Sequence, residues 1–244
     1  MCIRDRCYSL RMVNFISLPA ALGLMVIAAP AFSLFFQRGA FGAEDVSASA
    51  RALVFLAMGL WAVSAARVLV PMFHGMQDTR TPVRVAFWTF ALNLLLSVAL
   101  MGPVDAGAGD NAFVRTVAAL GRGVGVVSLS FAGLALANSL SATFQFAALM
   151  WLATRRLGGF AWSAYLSSLW RNLAAAAVMA GPLLLLARRM NWDTGALTAQ
   201  APGFVFLVAG GVVLYGVAAR LLGSPDWPLM RNAVMRRLPA RAKT

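Results

Sequence analysis

The sequence predicts an all-α integral membrane protein of six transmembrane helices, on three observations: little charge, apolar residues gathered into blocks, and cations at the block ends. Of 244 residues, 61% are hydrophobic and 12% charged, whereas a soluble domain carries roughly 25% charged residues. A soluble fold of this length cannot hide so much apolar surface. Several blocks reach the ~20 residues with which a helix crosses ~30 Å of hydrocarbon. The net charge of +13 would suit a nucleic-acid partner, but the basic residues form no continuous patch with interleaved aromatics. They suit phospholipid head groups and the control of topology instead. Membrane lipids are the expected surroundings, and no nucleic acid is expected as a partner.

The first block runs from about Asn14 to Phe36 and holds Pro19 and Pro30. Proline is tolerated in membrane helices where neighbours re-satisfy the freed carbonyl, so one kinked span is expected. After a polar turn, Gln37 to Ser49, the second block covers about Ala52 to Phe73, and His74 to Thr81 form a short polar loop. Helix three is expected to start with Thr81 as N-cap and Pro82 at the first helical position, and to end near Met101. The connection from Val104 to Arg122 contains an apolar stretch, Ala112 to Leu120, that reads as a short surface helix. The fourth block spans about Val124 to Ala153 and is long enough to tilt. The fifth, Leu169 to Ala187, is introduced by Trp162, Tyr165 and Trp170, residues suited to an aromatic belt; the sixth is Phe204 to Leu222.

Counting Lys and Arg in alternate connections sets the topology. If the first block enters from the cytoplasm, fourteen basic residues lie inside and six outside (Arg38, Arg51, Arg115, Arg122, Arg188 and Arg189), with Arg67 inside a span. Both termini are therefore predicted to be cytoplasmic. Cys2 and Cys7 are the only cysteines, so no disulfide framework is possible. Residues 1–9 lack an apolar run of their own and read as a leader that is not native. Residues 10–153 would then hold four helices, 154–222 two more, and 223–244 a basic cytoplasmic tail.

The string His74-Gly75-Met76-Gln77-Asp78-Thr79-Arg80-Thr81-Pro82-Val83-Arg84 is the most distinctive in the chain. Read structurally, Thr81 caps, Pro82 starts the helix, and Asp78 pairs with Arg80 or Arg84 in a tight turn. Read functionally, Asp78, Thr79, Arg80, Thr81, Pro82 and Arg84 form a hinge or gate turn, whose charge pair holds two spans in one of two arrangements during transport.

This string resembles the MviN/MurJ family of bacterial lipid II flippases, in which a turn of the form F-Y-A-x-x-D-T-R-T-P-V joins two membrane helices. Phe73, Asp78, Thr79, Arg80, Thr81, Pro82 and Val83 match, while His74 departs from the usual Tyr. Leu18-Pro19, Arg38-Gly39-Ala40-Phe41 and Gly133-Leu134-Ala135-Leu136-Ala137 also agree, so the likeness covers about Leu10 to Leu222. It implies part of a MOP-superfamily flippase fold, the last six of fourteen helices, with the family's cationic cavity largely upstream. It further implies a bacterial inner membrane location, lipid II as substrate, alternating access, a monomer when full length, and a lipid-tail groove formed by the fifth and sixth blocks. An exporter of drugs or of another lipid-linked oligosaccharide, and a scaffold without transport activity, are the alternatives.

Mid-membrane polar residues form a second constellation. Asn93 and Ser97 share a face of helix three, and Asn138 lies in helix four. With the carbonyl of Leu134 they offer oxygen ligands to a small hard cation, or simply hydrogen bonds between helices. The resemblance implies a sodium site between these helices, although Ser97 stands where Asn or Asp is usual. No other cofactor is expected. Gly133, Ala137 and Ser141 make a small-residue stripe for close packing, continued by Gln145 towards packing or water. Arg67 is the one charge well inside a block. It either snorkels to the head groups or attracts the pyrophosphate of a lipid-linked substrate. A single histidine, and acidic residues placed in loops or the leader, offer no catalytic constellation, so an enzyme is not expected.

Overall fold

The computed structural model describes residues 3–101, 129, 131–157, 162–190, 192, 197–228 and 230, with the side chains of 3–7 and 197–199 excepted. Its six helices are α1 (Ile3–Phe36), α2 (Ala43–Gly75), α3 (Arg80–Met101), α4 (Phe131–Leu157), α5 (Trp162–Arg189) and α6 (Leu197–Leu221). All six are long and apolar enough to cross a membrane. In hydrocarbon a backbone must satisfy its own hydrogen bonds, which is why these blocks become helices. The expected surface helix at Ala112 to Leu120, and the start of the fourth block, lie outside the described residues.

Helices reach further than the apolar blocks. α1 runs unbroken from Ile3 across the boundary expected at Ser9. α2 begins in the expected polar turn, because Asp45 accepts the free Gly42 N–H (2.9 Å) and Glu44 and Asp45 place negative charge at the helix N-terminus. Pro19, Pro30, Pro71, Pro182 and Pro202 all lie within helices.

The helices pack in an order the chain does not follow. α4 lies between α2 and α3, α1 contacts both α2 and α5, and α6 packs on α5 and α1, whereas the successive helices α2 and α3 scarcely touch. Two cores result. One gathers Leu10, Leu69, Phe73, Leu149 and Tyr165; the other gathers Phe15, Met179, Leu183, Leu207 and Tyr215.

Small residues set the closest approaches. Gly59 of α2 meets the backbone of Ser139 in α4, whose hydroxyl donates to the Phe55 carbonyl. Gly133 lies against the Leu100 carbonyl of α3, and Ala137 and Ser141 are buried, so the expected stripe is a packing surface.

Candidate functional site: the α2–α3 turn, the Arg67 cleft and a buried ion pair

The end of α2 is a tight Schellman-type stop. Asp78 N–H donates to the Phe73 carbonyl (3.0 Å) and Gln77 N–H to that of His74 (2.9 Å). That geometry needs a left-handed residue, and Gln77 supplies it at φ 58° where glycine is usual. Gln77 is the one described residue other than glycine with positive φ. Backbone strain thus sits in the turn that joins the two spans.

Three sequence expectations about this turn are corrected. Asp78, not Thr81, caps α3: one carboxylate oxygen accepts the Thr81 N–H (3.1 Å) and the other the Thr81 hydroxyl (2.6 Å). Pro82 is the third helical residue rather than the first, still within the turn whose N–H groups have no helical acceptor. Asp78 also pairs with neither Arg80 nor Arg84, both exposed, but with Arg156 at the end of α4 (2.7 Å). The reason is directional. Capping aims the carboxylate at the helix start, where the antiparallel packing of α4 on α3 delivers Arg156. Arg156 also donates to the Thr81 hydroxyl (3.4 Å), so Asp78, Thr81 and Arg156 close a polar triangle across the turn, α3 and α4.

The hydrogen bonds from the Thr81 hydroxyl and amide, with the Arg156 charge, hold the Asp78 carboxyl below its ordinary value of 3.8. A folded value below the unfolded one contributes stability that is complete above 3.8 and is lost as pH falls through the lowered value. The Asp78 carboxyl resonance in labelled protein is expected to titrate below 3.8 and to move up in Thr81→Val. An unshifted midpoint in that variant would remove Thr81 from the capping role.

Arg67 is exposed on α2 and lines a cleft of about 410 Å³ with Ala66, Val70, Pro71 and Gln145. Gln145 therefore faces this open space rather than continuing the packed stripe. Among the described residues, Arg67 has no ion-pair partner.

The cation constellation is only partly gathered. Ser97 donates to the Asn93 side-chain oxygen within α3 (3.3 Å). On α4, Leu134 and Asn138 are exposed, and no hydrogen bond among the described residues joins Asn138 to Asn93 or Ser97. The interhelical bond expected of Asn93 and Asn138 is thus absent among these residues. Ser139 is the side chain that ties α4 to α2.

One cluster escaped sequence reasoning. By sequence Asp226 belongs to the basic tail, yet it is fully buried and pairs with Arg11 of α1 (2.6 Å). It also accepts from Asn172 (2.9 Å) and Ser168 of α5, while Ser224 donates to the Asn172 side-chain oxygen (2.7 Å). Arg171 bonds the Gly223 carbonyl (2.7 Å). The available signal was Ser168 and Asn172, one turn apart on one face of α5. The cluster brings the start of α1 and the segment after α6 to one end of the bundle. The α2–α3 turn lies at that end too, since Leu10 and Phe73 share a core.

The family described as Lipid II flippase MurJ matches residues 5–108 and 111–203, more than half of the chain. The chain belongs to the MurJ family. Among curated relatives, the probable lipid II flippase MurJ of Vibrio cholerae is 29% identical over 88% of the chain and 37% of its own length. That of Thermotoga maritima is 30% identical over 85% and 35%. The lipid II flippase MurJ of Burkholderia cenocepacia is 28% identical over 85% and 35%. The chain thus spans little more than a third of these MurJ relatives. It is a multi-pass bacterial membrane protein of that family, and its turn, cleft and buried ion pair are features of the C-terminal portion.

Proposed function

We propose that the chain is the C-terminal portion of a lipid II flippase, which moves the lipid-linked peptidoglycan precursor from the cytoplasmic to the outer leaflet of the inner membrane by alternating access. The match to the MurJ family over most of the chain carries this reading. Both termini face the cytoplasm, and the protein is a monomer when full length. The Asp78–Arg156 contact is the latch of a gate: it spans the α2–α3 turn and α4, elements that must separate if this end opens. Arg67 stands in its cleft as an anchor for the pyrophosphate, a role that suits an unpaired guanidinium beside an amide. Asn93, Ser97, Leu134 and Asn138 remain a sodium site only if α3 and α4 turn their oxygens toward each other in another state of the cycle.

The test is rescue of a strain depleted of its flippase by the full-length gene. Arg67→Ala is expected to lower lipid II flipping several-fold, with Arg80→Ala near wild type. Asp78→Ala and Arg156→Ala should each impair rescue, and the exchange Asp78→Arg with Arg156→Asp should partly restore it. Full rescue by both single variants would reduce the turn to a helix cap. Failure of the wild-type gene to flip lipid II, with export of another lipid-linked oligosaccharide, would favour the exporter reading.

A further inference from the structure

A second cleft opens at the opposite end of the bundle, where the C-terminal half of α1, the start of α2 and the end of α5 converge. It encloses about 350 Å³, and small side chains (Ala28, Ala29, Ala50 and Ala187) leave that space open. Its wall is apolar except for Arg51 and Arg188. Both arginines are exposed, and neither makes an ion pair among the described residues. Arg51 immediately precedes the apolar run of α2, and Arg188 immediately follows that of α5, so both stand where hydrocarbon meets head groups. Trp192, another lining residue, suits the same level. Of the described carboxylates at this end, Glu44 and Asp45 sit about 10 Å back along α2 from Arg51, and Asp45 is engaged by Gly42.

We propose that this cleft holds one acyl chain of an anionic phospholipid, with its phosphate between Arg51 and Arg188, in the leaflet at this end of the bundle. Away from the two guanidiniums the wall offers water no polar partner. A lipid chain gains no hydrophobic free energy by leaving the bilayer for such a cleft, because lipid tails are as apolar as its walls. Retention therefore depends on the guanidinium–phosphate contacts, which strengthen away from bulk water. The site selects by head group, and the cleft sets which chain geometry reaches it. Its position on α1, α2 and α5 separates it from the Arg67 cleft on α2 and α4.

The full-length protein, reconstituted in phosphatidylglycerol and phosphatidylcholine and then examined by native mass spectrometry, provides the test. Wild type is expected to retain phosphatidylglycerol over phosphatidylcholine. Arg51→Gln with Arg188→Gln should reduce retained phosphatidylglycerol about tenfold. Ala29→Phe, which fills the cleft and leaves both arginines, should also reduce it, because the phosphate reaches both guanidiniums only when its chain enters the cleft, and Arg38→Gln at the same end should not. Unchanged retention in the first two variants, as expected if another protein segment fills the cleft, would overturn the proposal. So would an equal loss in Arg38→Gln, or displacement of phosphatidylglycerol by an equimolar polyprenyl phosphate.

Discussion

Asp226→Ala is expected to destabilise the protein by about 3–5 kcal/mol, the usual consequence of removing one partner from a buried ion pair. Arg11 would keep its charge at a site where its side chain is only 18% exposed. Asn172 and Ser168 would also lose the carboxylate that accepts their hydrogen bonds, and Ser224 would be the remaining polar neighbour. Thermal unfolding of the purified full-length protein measures the effect. Asp226→Asn should cost less, since an amide oxygen still accepts. Arg11→Met combined with Asp226→Leu should recover much of the loss, because an apolar pair of similar volume avoids the desolvation of two charges. Unaltered unfolding of Asp226→Ala would show that the segment after α6 does not dock as described. The cluster fastens α5 and the segment after α6 to α1, so its loss should loosen α5 and α6 before the rest of the bundle.

Gly59→Val is expected to produce the second large effect. A Cβ at Gly59 would lie 2.6 Å from the Cα of Ser139, and the obstacle is helix backbone, which cannot rotate aside as a side chain can. Overpacking commonly costs 1–3 kcal/mol, and here about 3 kcal/mol is expected, with α2 and α4 forced apart and the Ser139 bond to the Phe55 carbonyl broken. Lipid II flipping by the full-length protein should fall with it, because α4 also carries Arg156 to the turn. Gly181→Ala is the control: nothing stands within 4 Å of a Cβ there. That change should be neutral or stabilising, by up to roughly 1 kcal/mol from reduced backbone freedom. Equal stability and activity in the two variants would show that α2 and α4 are not in close contact.

The turn was legible in the sequence because its signals are local. Asp78, Thr79, Thr81 and Pro82 mark a helix start within a few residues, although the sequence points to Thr81 as the cap and the structure to Asp78. The partner of Asp78 was not legible. Arg156 lies 78 residues beyond it, and the nearer Arg80 and Arg84 were the obvious candidates. Arg67 and Gln145 each stand out singly in the sequence, yet only the packing of α4 against α2 places them in one cleft.

The sequence by itself determined that this chain crosses a membrane in six helices, because about twenty apolar residues in lipid have no stable alternative to a helix. Through the turn and three further short stretches, it also determined the family. Which face of each helix meets protein was decided only by the tertiary structure. In water, a polar stripe would mark the outer face of each helix. Here lipid is as apolar as the core, so that signal vanishes. Phe73 is fully buried while Phe87 and Phe90 are 65% and 69% exposed, though all three sit in apolar blocks. For the same reason the order of packing, the burial of Asp226 and the pairing of Asp78 with Arg156 depend on contacts between distant segments.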